Sequence, residues 1–354
     1  MQNPDQTLII LTPGFPENES DTTCLPAQQI FLKSLRNQYP HVKIVVISFQ
    51  YPYNNRTYQW HHLKVIPLNG RNRRGIQRAA VWYRVWNELK NQKRKGKLIG
   101  ILSFWCTECA LLGKWFSRFH KVPHYCWILG QDARDENIFV KFIRPQPADL
   151  IAMSDFLARE FYRSHGIKPA HVIPNAVGGN HDANLPDQRT IDILGAGSLI
   201  PLKQYDLFIE VVAEIKVYRS SVKALICGKG PEHEKLAAQV KKSNLIRNIT
   251  LQGEVAHPDI LKLMNTAKIF LHPSSYEGFS TVCLEALSEG AHVISFCQPM
   301  NESIKQWHVV TDKKQMIQKT MEILQDGEIQ YESVVPYSID DTAASVMKLF
   351  TKSL

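Results

Sequence analysis

The stretch that decides the fold is Pro273-Ser-Ser-Tyr-Glu277-Gly-Phe-Ser-Thr-Val-Cys-Leu-Glu285-Ala-Leu-Ser-Glu-Gly290. An apolar, strand-like run ends at His272, and the pattern predicts a helix that starts at Thr281 with Ser280 as its N-cap and stops before Gly290. A helix N-terminus presents N–H donors and partial positive charge, which suits an anion. Glu277 and Glu285 flank this position, and carboxylates accept hydrogen bonds from the paired hydroxyls of sugars. The stretch therefore predicts a site for a phosphate group next to hydroxyls.

Working outward, strand-like apolar runs alternate with amphipathic helix-like segments on both sides of this stretch. Strands that are apolar on both faces indicate parallel sheets covered by helices, and the alternation is typical of the doubly wound α/β class. The pattern breaks only between Val177 and Thr190, where Gly and Asn residues predict a linker. We therefore predict two Rossmann-like domains that face a ligand cleft, organised as follows: an N-terminal domain over 1–177, a linker over 178–190, a C-terminal domain over 191–335 and a C-terminal helix over 336–354 that packs back on the first domain.

Composition excludes several classes of protein. The chain has 354 residues, 44% hydrophobic and 21% charged, which is ordinary for a globular protein. No run approaches the roughly 20 apolar residues of a membrane-spanning helix. We expect no secretory signal, because Asp5 comes early and the apolar run Leu8–Leu11 is short. The seven cysteines are odd in number and favour a reducing cytosol over a disulfide framework.

Positive charge is concentrated in one segment. The net charge is +9, and Arg71–Lys97 holds ten basic residues with Glu88 as its only acid. Trp82 and Trp86 lie at helical spacing within it. A basic helix with aromatic residues can lie on an anionic membrane. The alternative is a surface helix with its apolar stripe in the core and its charges in water. Nucleic acid is a weaker alternative, because no nucleic-acid motif accompanies the charge.

Five landmarks in order resemble one enzyme family. The Glu277…Glu285 pair resembles the Glu-x7-Glu signature of the retaining, metal-independent glycosyltransferases of family 4, also called group 1, which have the GT-B fold. Four further stretches are similar to motifs of that family: Ile173–Val177 to its Ile-Pro-Asn-Gly-Val boundary, Gly195–Lys203 to its phosphate loop, Ile226–Pro231 to its Gly-x-Gly-Pro turn, and Ile249–Val255 to its strand ending in Gly-x-Val. Order and spacing agree over residues 150–300, whereas the first domain agrees only in general pattern.

The resemblance implies a donor site in the C-terminal domain. It implies that Lys203 neutralises the diphosphate of a nucleotide sugar, that Glu285 accepts the ribose hydroxyls, and that Glu277 accepts hydroxyls of the transferred sugar. The implied donor-binding set is Gly197, Ser198, Lys203, Gly228, Val255, Glu277, Gly278, Phe279, Ser280, Thr281 and Glu285. The family also implies front-face attack, in which the leaving phosphate takes the acceptor proton, with no metal and no cofactor.

Departures from the family pattern leave questions about the donor site and the first domain. The loop Arg of the family is Ser198 here, and Ser280 stands where the family commonly has Gly. In the first domain the resemblance implies an acceptor side formed by Gly14, Phe15 and Asp132, with Asp132 counted beside Glu277 and Lys203 among the catalytic residues. An ordinary turn at Gly14 and a helix N-cap at Asp132 are the alternatives. The family's common His is not evident, because its position holds Leu129.

The sequence thus predicts a retaining hexosyltransferase that uses a nucleotide sugar and a glycan or lipid-linked acceptor, in cell-surface glycan synthesis. We expect a cytoplasmic protein, peripheral on the inner membrane face through Arg71–Lys97, with no nucleic acid partner. A non-catalytic relative that binds sugar nucleotide or membrane is the main alternative. A nicotinamide dehydrogenase is disfavoured because the third Gly of its fingerprint would fall at Ile200. A glycosidase using Glu277 and Glu285 has no use for a phosphate loop.

Overall fold

A computed structural model describes residues 6–178, 185, 186 and 188–351 of the chain. The chain forms two compact units. Unit 1 comprises the residues up to Asn175 together with those from Tyr337 onward, and unit 2 comprises Ala176–Pro336. Residues 179–184 and 187 of the predicted linker, and 352–354 of the predicted C-terminal segment, lie outside the described part of the chain.

Unit 1 is built on an eight-stranded sheet. Its strands in chain order are β1 (Gln6–Gly14), β2 (Val42–Tyr51), β3 (Tyr58–Trp60), β4 (Leu63–Pro67), β5 (Lys97–Phe104), β6 (His124–Ile128), β7 (Leu150–Ala152) and β8 (His171–Val172). The order in the sheet is β3-β4-β2-β1-β5-β6-β7-β8, and every pairing is parallel except that of β3 with β4. The two central strands are buried apolar runs, as a sheet covered on both faces requires.

Helices cover both faces of this sheet. They are α1 (Pro26–Gln38), α2 (Ile76–Lys95), α3 (Glu108–His120), α4 (Phe139–Ile143), α5 (Asp155–His165) and, from the end of the chain, α11 (Ile339–Thr351). Val81, Val85 and Leu89 of α2 form a buried stripe in the core that also contains Ile101 of β5. Gly100 points to the opposite face, where the Phe350 ring of α11 fills the space that a Cβ would occupy. The two faces of β5 are therefore packed by helices from distant parts of the chain.

Unit 2 is built on a six-stranded, wholly parallel sheet. Its strands are β9 (Ile191–Ala196), β10 (Ala224–Cys227), β11 (Ile249–Gly253), β12 (Ala267–His272), β13 (His292–Ser295) and β14 (Trp307–Val309). Its helices are α6 (Tyr205–Tyr218), α7 (His233–Lys242), α8 (His257–Asn265), α9 (Thr281–Ser288) and α10 (Lys313–Gln325). The order β11-β10-β9-β12-β13-β14 is that of a classical dinucleotide-binding sheet. The predicted doubly wound fold is confirmed in both units.

Arg189 anchors the start of unit 2. It lies within the segment predicted as a linker, yet its side chain is buried. The guanidinium donates to the carbonyl oxygens of Met264 at 3.1 Å, Ala267 at 2.6 Å and Glu289 at 2.7 Å, and it lies 4.8 Å from the ring centre of Tyr331. A cation with this many acceptors fixes the chain before β9 begins.

Candidate functional site

The candidate site lies where the strand order of unit 2 reverses. Strands β10 and β11 lie on one side of β9, and β12 lies on the other, so the connections leaving β9 and β12 run in opposite directions. In open parallel sheets this divergence leaves a crevice beyond the carboxyl ends of the strands, where ligands bind. The loop after β9 leads to Lys203, and the loop after β12 carries Glu277. The topology therefore brings together the two residues to which the family resemblance assigns the main chemical roles.

Three side chains, Lys203, Glu277 and His272, form a largely buried polar cluster at this crevice, with the Ser280 hydroxyl beside it. The Lys203 ammonium forms a short ion pair with Glu277 Oε1. His272, the last residue of β12, places its Nε2 3.1 Å from the same oxygen. The Ser280 hydroxyl lies 3.4 Å from His272 Nε2, and Ser280 makes no side-chain cap to α9 although it occupies the N-cap position. Glu277 Oε1 thus contacts both the Lys203 ammonium and the His272 imidazole.

The charge states in this cluster follow from its environment. Burial alone would raise the pKa of Glu277, but the hydrogen bond from His272 and the Lys203 charge outweigh it and lower that pKa to about 2. Burial lowers the pKa of His272, which is therefore neutral at pH 7. A carboxylate only accepts hydrogen bonds, so His272 carries its proton on Nε2 and donates it to Glu277. Glu277 is held as an acceptor and is unsuited to supplying a proton.

Close packing of two loops shapes the other wall of the crevice. Gly197 follows β9 with φ of +150°, and Gly228 follows β10 with φ of +147°. A Cβ on Gly228 would lie 1.8 Å from the carbonyl oxygen of Gly197, so only glycine fits there. The Gly197 N–H donates to Cys227 O at 2.9 Å, and the Gly228 N–H donates to Gly253 O at 2.7 Å. These bonds join the loops after β9, β10 and β11 into one backbone surface.

Helix α9 presents the second carboxylate. Glu285 is 7% exposed and accepts a hydrogen bond from His257 Nε2 at 2.8 Å. This contact raises the pKa of His257, against the lowering effect of burial. His257 begins α8, directly after the loop that contains Val255. Just before α9, the buried Phe279 ring stacks on the Trp307 ring, with 6.3 Å between the ring centres. This contact fixes the course of the loop that leads into α9.

Two histidines join the predicted residues. Sequence reasoning gave no role to His257 or His272, although each stands where a parallel strand or the loop after it ends. Position at the carboxyl end of a strand is the signal that could have found them. Ser198, at the position of the family's loop Arg, is exposed, and its uncharged hydroxyl supplies no cation there. The positions predicted for donor binding all lie on loops and on one helix at the same edge of the sheet.

The predicted acceptor-side residues of unit 1 have structural partners. Phe15 is 0% exposed and packs edge-on against Trp60 at 5.0 Å. Asp132 accepts the backbone N–H groups of Cys106, Leu129 and Gly130 at 2.8, 3.1 and 2.8 Å. Its burial raises its pKa to about 6, against the lowering effect of these bonds. Both side chains are buried and have partners within unit 1, and their predicted role toward an acceptor stays a prediction.

Gly14 is not required by close packing. A Cβ there would make ordinary contacts, 3.8 Å from Tyr51 Cβ and 3.9 Å from Cys24 Sγ. No neighbouring atom of the described residues therefore requires glycine at this turn, and the predicted role of Gly14 on the acceptor side stays a prediction. Its carbonyl oxygen accepts the Thr12 hydroxyl at 2.7 Å, an ordinary strand-ending turn.

The apolar stripe of the basic helix α2 lies in the core of unit 1, and the membrane contact predicted for this segment stays a prediction. Trp82 is half-buried and donates to Glu108 Oε2 at 2.8 Å, and Trp86 packs on Phe116 at 5.3 Å. Both aromatic side chains thus face α3. No helix among residues 6–178, 185, 186 and 188–351 combines the length and apolar character needed to cross a membrane. Within the same residues, no three His, Cys, Asp or Glu side chains form a metal-binding group. Metal independence remains a prediction.

Comparison with known proteins gives a family match for the second half of the chain. Residues 180–351 match the family model of Glycosyl transferases group 1. The phosphatidylinositol N-acetylglucosaminyltransferase gpi3 subunit of Schizosaccharomyces pombe is 34% identical over 131 residues, 36% of this chain and 29% of that protein. The 2-deoxystreptamine N-acetyl-D-glucosaminyltransferase of Niallia circulans is 26% identical over 135 residues, 35% of each chain. The chain spans about a third of the length of these relatives.

Solved structures match the whole chain. The Anabaena HepE structure in complex with UDP and glucose aligns with a TM-score of 0.65 over 98% of both chains, at 15% identity. At this identity the likeness shows the fold, which is the GT-B fold of two doubly wound domains.

Proposed function

We propose that this chain, whose residues 180–351 match the family model of Glycosyl transferases group 1, transfers a sugar from a nucleoside diphosphate sugar to a glycan or lipid-linked acceptor with retention of configuration. The observation that carries the proposal is the Lys203–Glu277–His272 cluster at the strand-order reversal of unit 2. The two curated relatives are named as N-acetylglucosaminyltransferases, and the Anabaena structure holds UDP. UDP-N-acetylglucosamine is therefore the first donor to test.

In this proposal Lys203 and Glu277 contact different parts of the donor. An ammonium has three donors, so Lys203 can keep its bond to Glu277 while it also contacts a diphosphate. The bond between the anomeric carbon and the phosphate oxygen breaks, the acceptor oxygen bonds to that carbon, and the leaving phosphate takes the acceptor proton. Lys203 stabilises the charge that develops on the leaving group, which is how preorganised cations accelerate such steps. No metal is required in this proposal.

The charge state of Glu277 separates this proposal from a glycosidase. A glycosidase acid needs a raised pKa so that it carries a proton at neutral pH. The pKa of Glu277 is lowered to about 2, and Glu285 is occupied by His257. An ionised carboxylate such as that of Glu277 instead accepts hydrogen bonds from hydroxyl groups. We assign Glu277 to the hydroxyls of the transferred sugar and Glu285 to the ribose.

The acceptor side and the location of the protein belong to the same proposal. We propose a contact of unit 1 with an anionic membrane at its cytoplasmic face, to which the C-terminal end of the Arg71–Lys97 segment contributes charge. Trp82 and Trp86 are turned toward α3, so this segment supplies electrostatic attraction without aromatic insertion. Retention of the protein on anionic vesicles at low salt is the measurement for this part.

Stabilisation by donors tests the donor site. We expect UDP-N-acetylglucosamine to raise the melting temperature of the protein, more than GDP- or ADP-sugars do, with no effect of EDTA. Lys203→Ala should lose the shift, because the diphosphate loses its main cation. Lys262→Ala is the matched control, since Lys262 forms an exposed ion pair with Asp259 in the same unit.

Sugar transfer to a lipid-linked or glycan acceptor completes the test. A donor-induced rise in melting temperature that persists in Lys203→Ala would overturn the assigned donor site. A shift without transfer to any acceptor would favour the non-catalytic, nucleotide-binding alternative. A shift that EDTA abolishes would overturn the metal-independent part alone.

A further inference from the structure

A basic, partly apolar groove lies on unit 1 away from the sites described above. It has a volume of about 610 Å³ and lies between the second half of α3 and α4. Its lining residues are Lys114, Trp115, Ser117, Arg118, Lys141, Phe142, Ile143, Arg144 and Gln146. A second groove of about 680 Å³ adjoins it, sharing Lys141, Arg144 and Gln146 and extending to Lys168. We call the first the α3–α4 groove. Among the residues that the structure describes, no carboxylate lines either groove.

The cations of this groove are uncompensated. Lys114 forms an ion pair with Asp149. In contrast, Arg118, Lys141 and Arg144 form no ion pair with any of the residues that the structure describes, and all three are exposed. Three unpaired cations around one depression attract an anionic partner.

Aromatic side chains project beside these cations. Phe142 is 62% exposed, Trp115 is 41% exposed and Phe119, one turn further along α3, is 74% exposed. Large apolar side chains grouped on a surface mark an interaction site, whereas scattered ones do not. Aromatic residues next to lysine and arginine match the boundary between lipid headgroups and acyl chains. A free phosphate or an acidic peptide would use the charge but not this apolar surface.

The position of the groove in the fold separates it from the first part of the Arg71–Lys97 segment. Helix α3 ends at His120, just before β6 starts, and α4 ends at Ile143, shortly before β7 starts. The groove therefore lies toward the edge where the strands begin. The last turn of α2 reaches the same edge, since Lys93 Nζ lies 3.4 Å from His120 O. Arg71, Arg73 and Arg74 precede α2 and follow β4, so they lie at the opposite edge.

We propose that the α3–α4 groove and the adjoining last turn of α2 form the face of unit 1 that contacts an anionic lipid bilayer. Arg118, Lys141 and Arg144 bind lipid phosphates, and Trp115 and Phe142 lie at headgroup level. The proposal specifies where the membrane contact of the proposed function lies. It rests on the proposed function only for the statement that the acceptor is lipid-linked. Vesicle binding needs neither donor nor transfer, so failure of one proposal is distinguishable from failure of the other.

Two variants with equal loss of charge test the proposal. Sedimentation is measured with phosphatidylcholine vesicles that contain about a quarter phosphatidylglycerol, and with phosphatidylcholine alone. Arg118→Ser/Lys141→Ser/Arg144→Ser should bind the anionic vesicles on the order of a hundredfold more weakly than the unmodified protein. Arg71→Ser/Arg73→Ser/Arg74→Ser should stay within about threefold, because its changes lie at the other edge. Phe142→Ser should weaken binding by roughly tenfold and leave the net charge unchanged.

Several outcomes would overturn the proposal. Equal losses in the two triple variants would mean that net charge alone drives binding. An unmodified protein that ignores anionic vesicles, or full binding by Phe142→Ser, would also overturn it. All substituted side chains are exposed, so each variant should fold, and an unchanged melting temperature and donor shift verify this.

Discussion

Glu277 is the residue on which the charges of the candidate site depend. Its carboxylate is 16% exposed, yet it stays ionised because Lys203 and His272 both contact Oε1. Removing either partner of a buried pair leaves the other charge uncompensated, which costs more than the pair itself contributes. At the scale of single residues, the charge of Glu277 therefore depends on Lys203 and His272. Glu277 in turn positions the Lys203 ammonium where a phosphate would bind.

The first prediction concerns the pH dependence of this carboxylate. Its pKa is about 2 in the folded protein and 4.5 ordinarily. A lowered folded-state pKa stabilises the protein above pH 4.5, and this contribution disappears as the pH falls through about 2. Relative to Glu277→Gln, the unmodified protein should therefore gain up to about 3 kcal/mol of unfolding free energy between acid and neutral pH. Hydrogen exchange of the β12 amides measures the difference within unit 2.

Glu254→Gln provides the control for this prediction. Glu254 forms an exposed ion pair with Lys229 in the same unit, and exposed pairs contribute little. Glu254→Gln should change the unfolding free energy by less than about 1 kcal/mol. A difference between unmodified protein and Glu277→Gln that is constant with pH would contradict the charge state assigned to Glu277.

At the scale of elements, three loops of unit 2 act as one surface. The loops after β9, β10 and β11 are joined by backbone hydrogen bonds, and Gly228 lies against the Gly197 carbonyl with no room for a side chain. A methyl group at Gly228 would separate the two loops. Because Lys203 follows the first loop by only a few residues, its position depends on that packing.

Gly228→Ala should therefore impair both folding and donor binding. We expect a loss of about 3 kcal/mol or more in the unfolding free energy, since the backbone must move and alanine disfavours a φ of +147°. Gly327→Ala is the matched control, because nothing lies within 4 Å of a Cβ there, and it should change stability by less than about 0.5 kcal/mol. Thermal unfolding with and without a UDP-sugar measures both effects. Equal behaviour of the two variants would contradict the packing argument.

Sequence predicts those elements of the fold whose signals are local. The helix predicted from Thr281 runs over Thr281–Ser288, since an N-cap serine and a stopping glycine lie within one short stretch. The family motifs also identified the loops that meet at the crevice. The contacts of Glu277 with His272 and of Glu285 with His257 depend on how strands and helices are placed in three dimensions, which spacing along the chain does not reveal.

Unit 1 shows the same limit more strongly. The resemblance assigns Phe15 and Asp132 to an acceptor side, which stays a prediction, whereas the burial of both side chains and the three backbone N–H bonds to Asp132 follow only from the fold. A turn residue that packs inward and one that faces a ligand have the same local pattern. The grouping of exposed aromatic residues on α3 and α4 is likewise not readable from the sequence, because exposure is a property of the folded surface.

At the scale of the whole molecule, unit 1 is completed by the end of the chain. Helix α11 returns after all of unit 2 and packs against α1 and β5. The Ser34 hydroxyl donates to Asp340 Oδ1 at 2.6 Å, and the Thr342 hydroxyl donates to Pro174 O at 2.9 Å. The buried Phe350 ring lies over Gly100 and meets Tyr125 edge-on at 5.1 Å. The core of unit 1 therefore closes only when the last helix has docked.

Phe350→Ala should destabilise unit 1 selectively. Removing a fully buried phenylalanine leaves a cavity and costs about 3–5 kcal/mol. Gly100 has no side chain that could fill it. Hydrogen-exchange protection should fall in β1 and β5 and stay unchanged in β9 and β12, whose core does not include α11. Phe142→Ala, at an exposed position of the same unit, should leave protection in β1 and β5 intact. Equal loss of protection in both units would show that α11 stabilises the molecule as a whole, whereas no loss in β5 would mean that α11 is not part of the core.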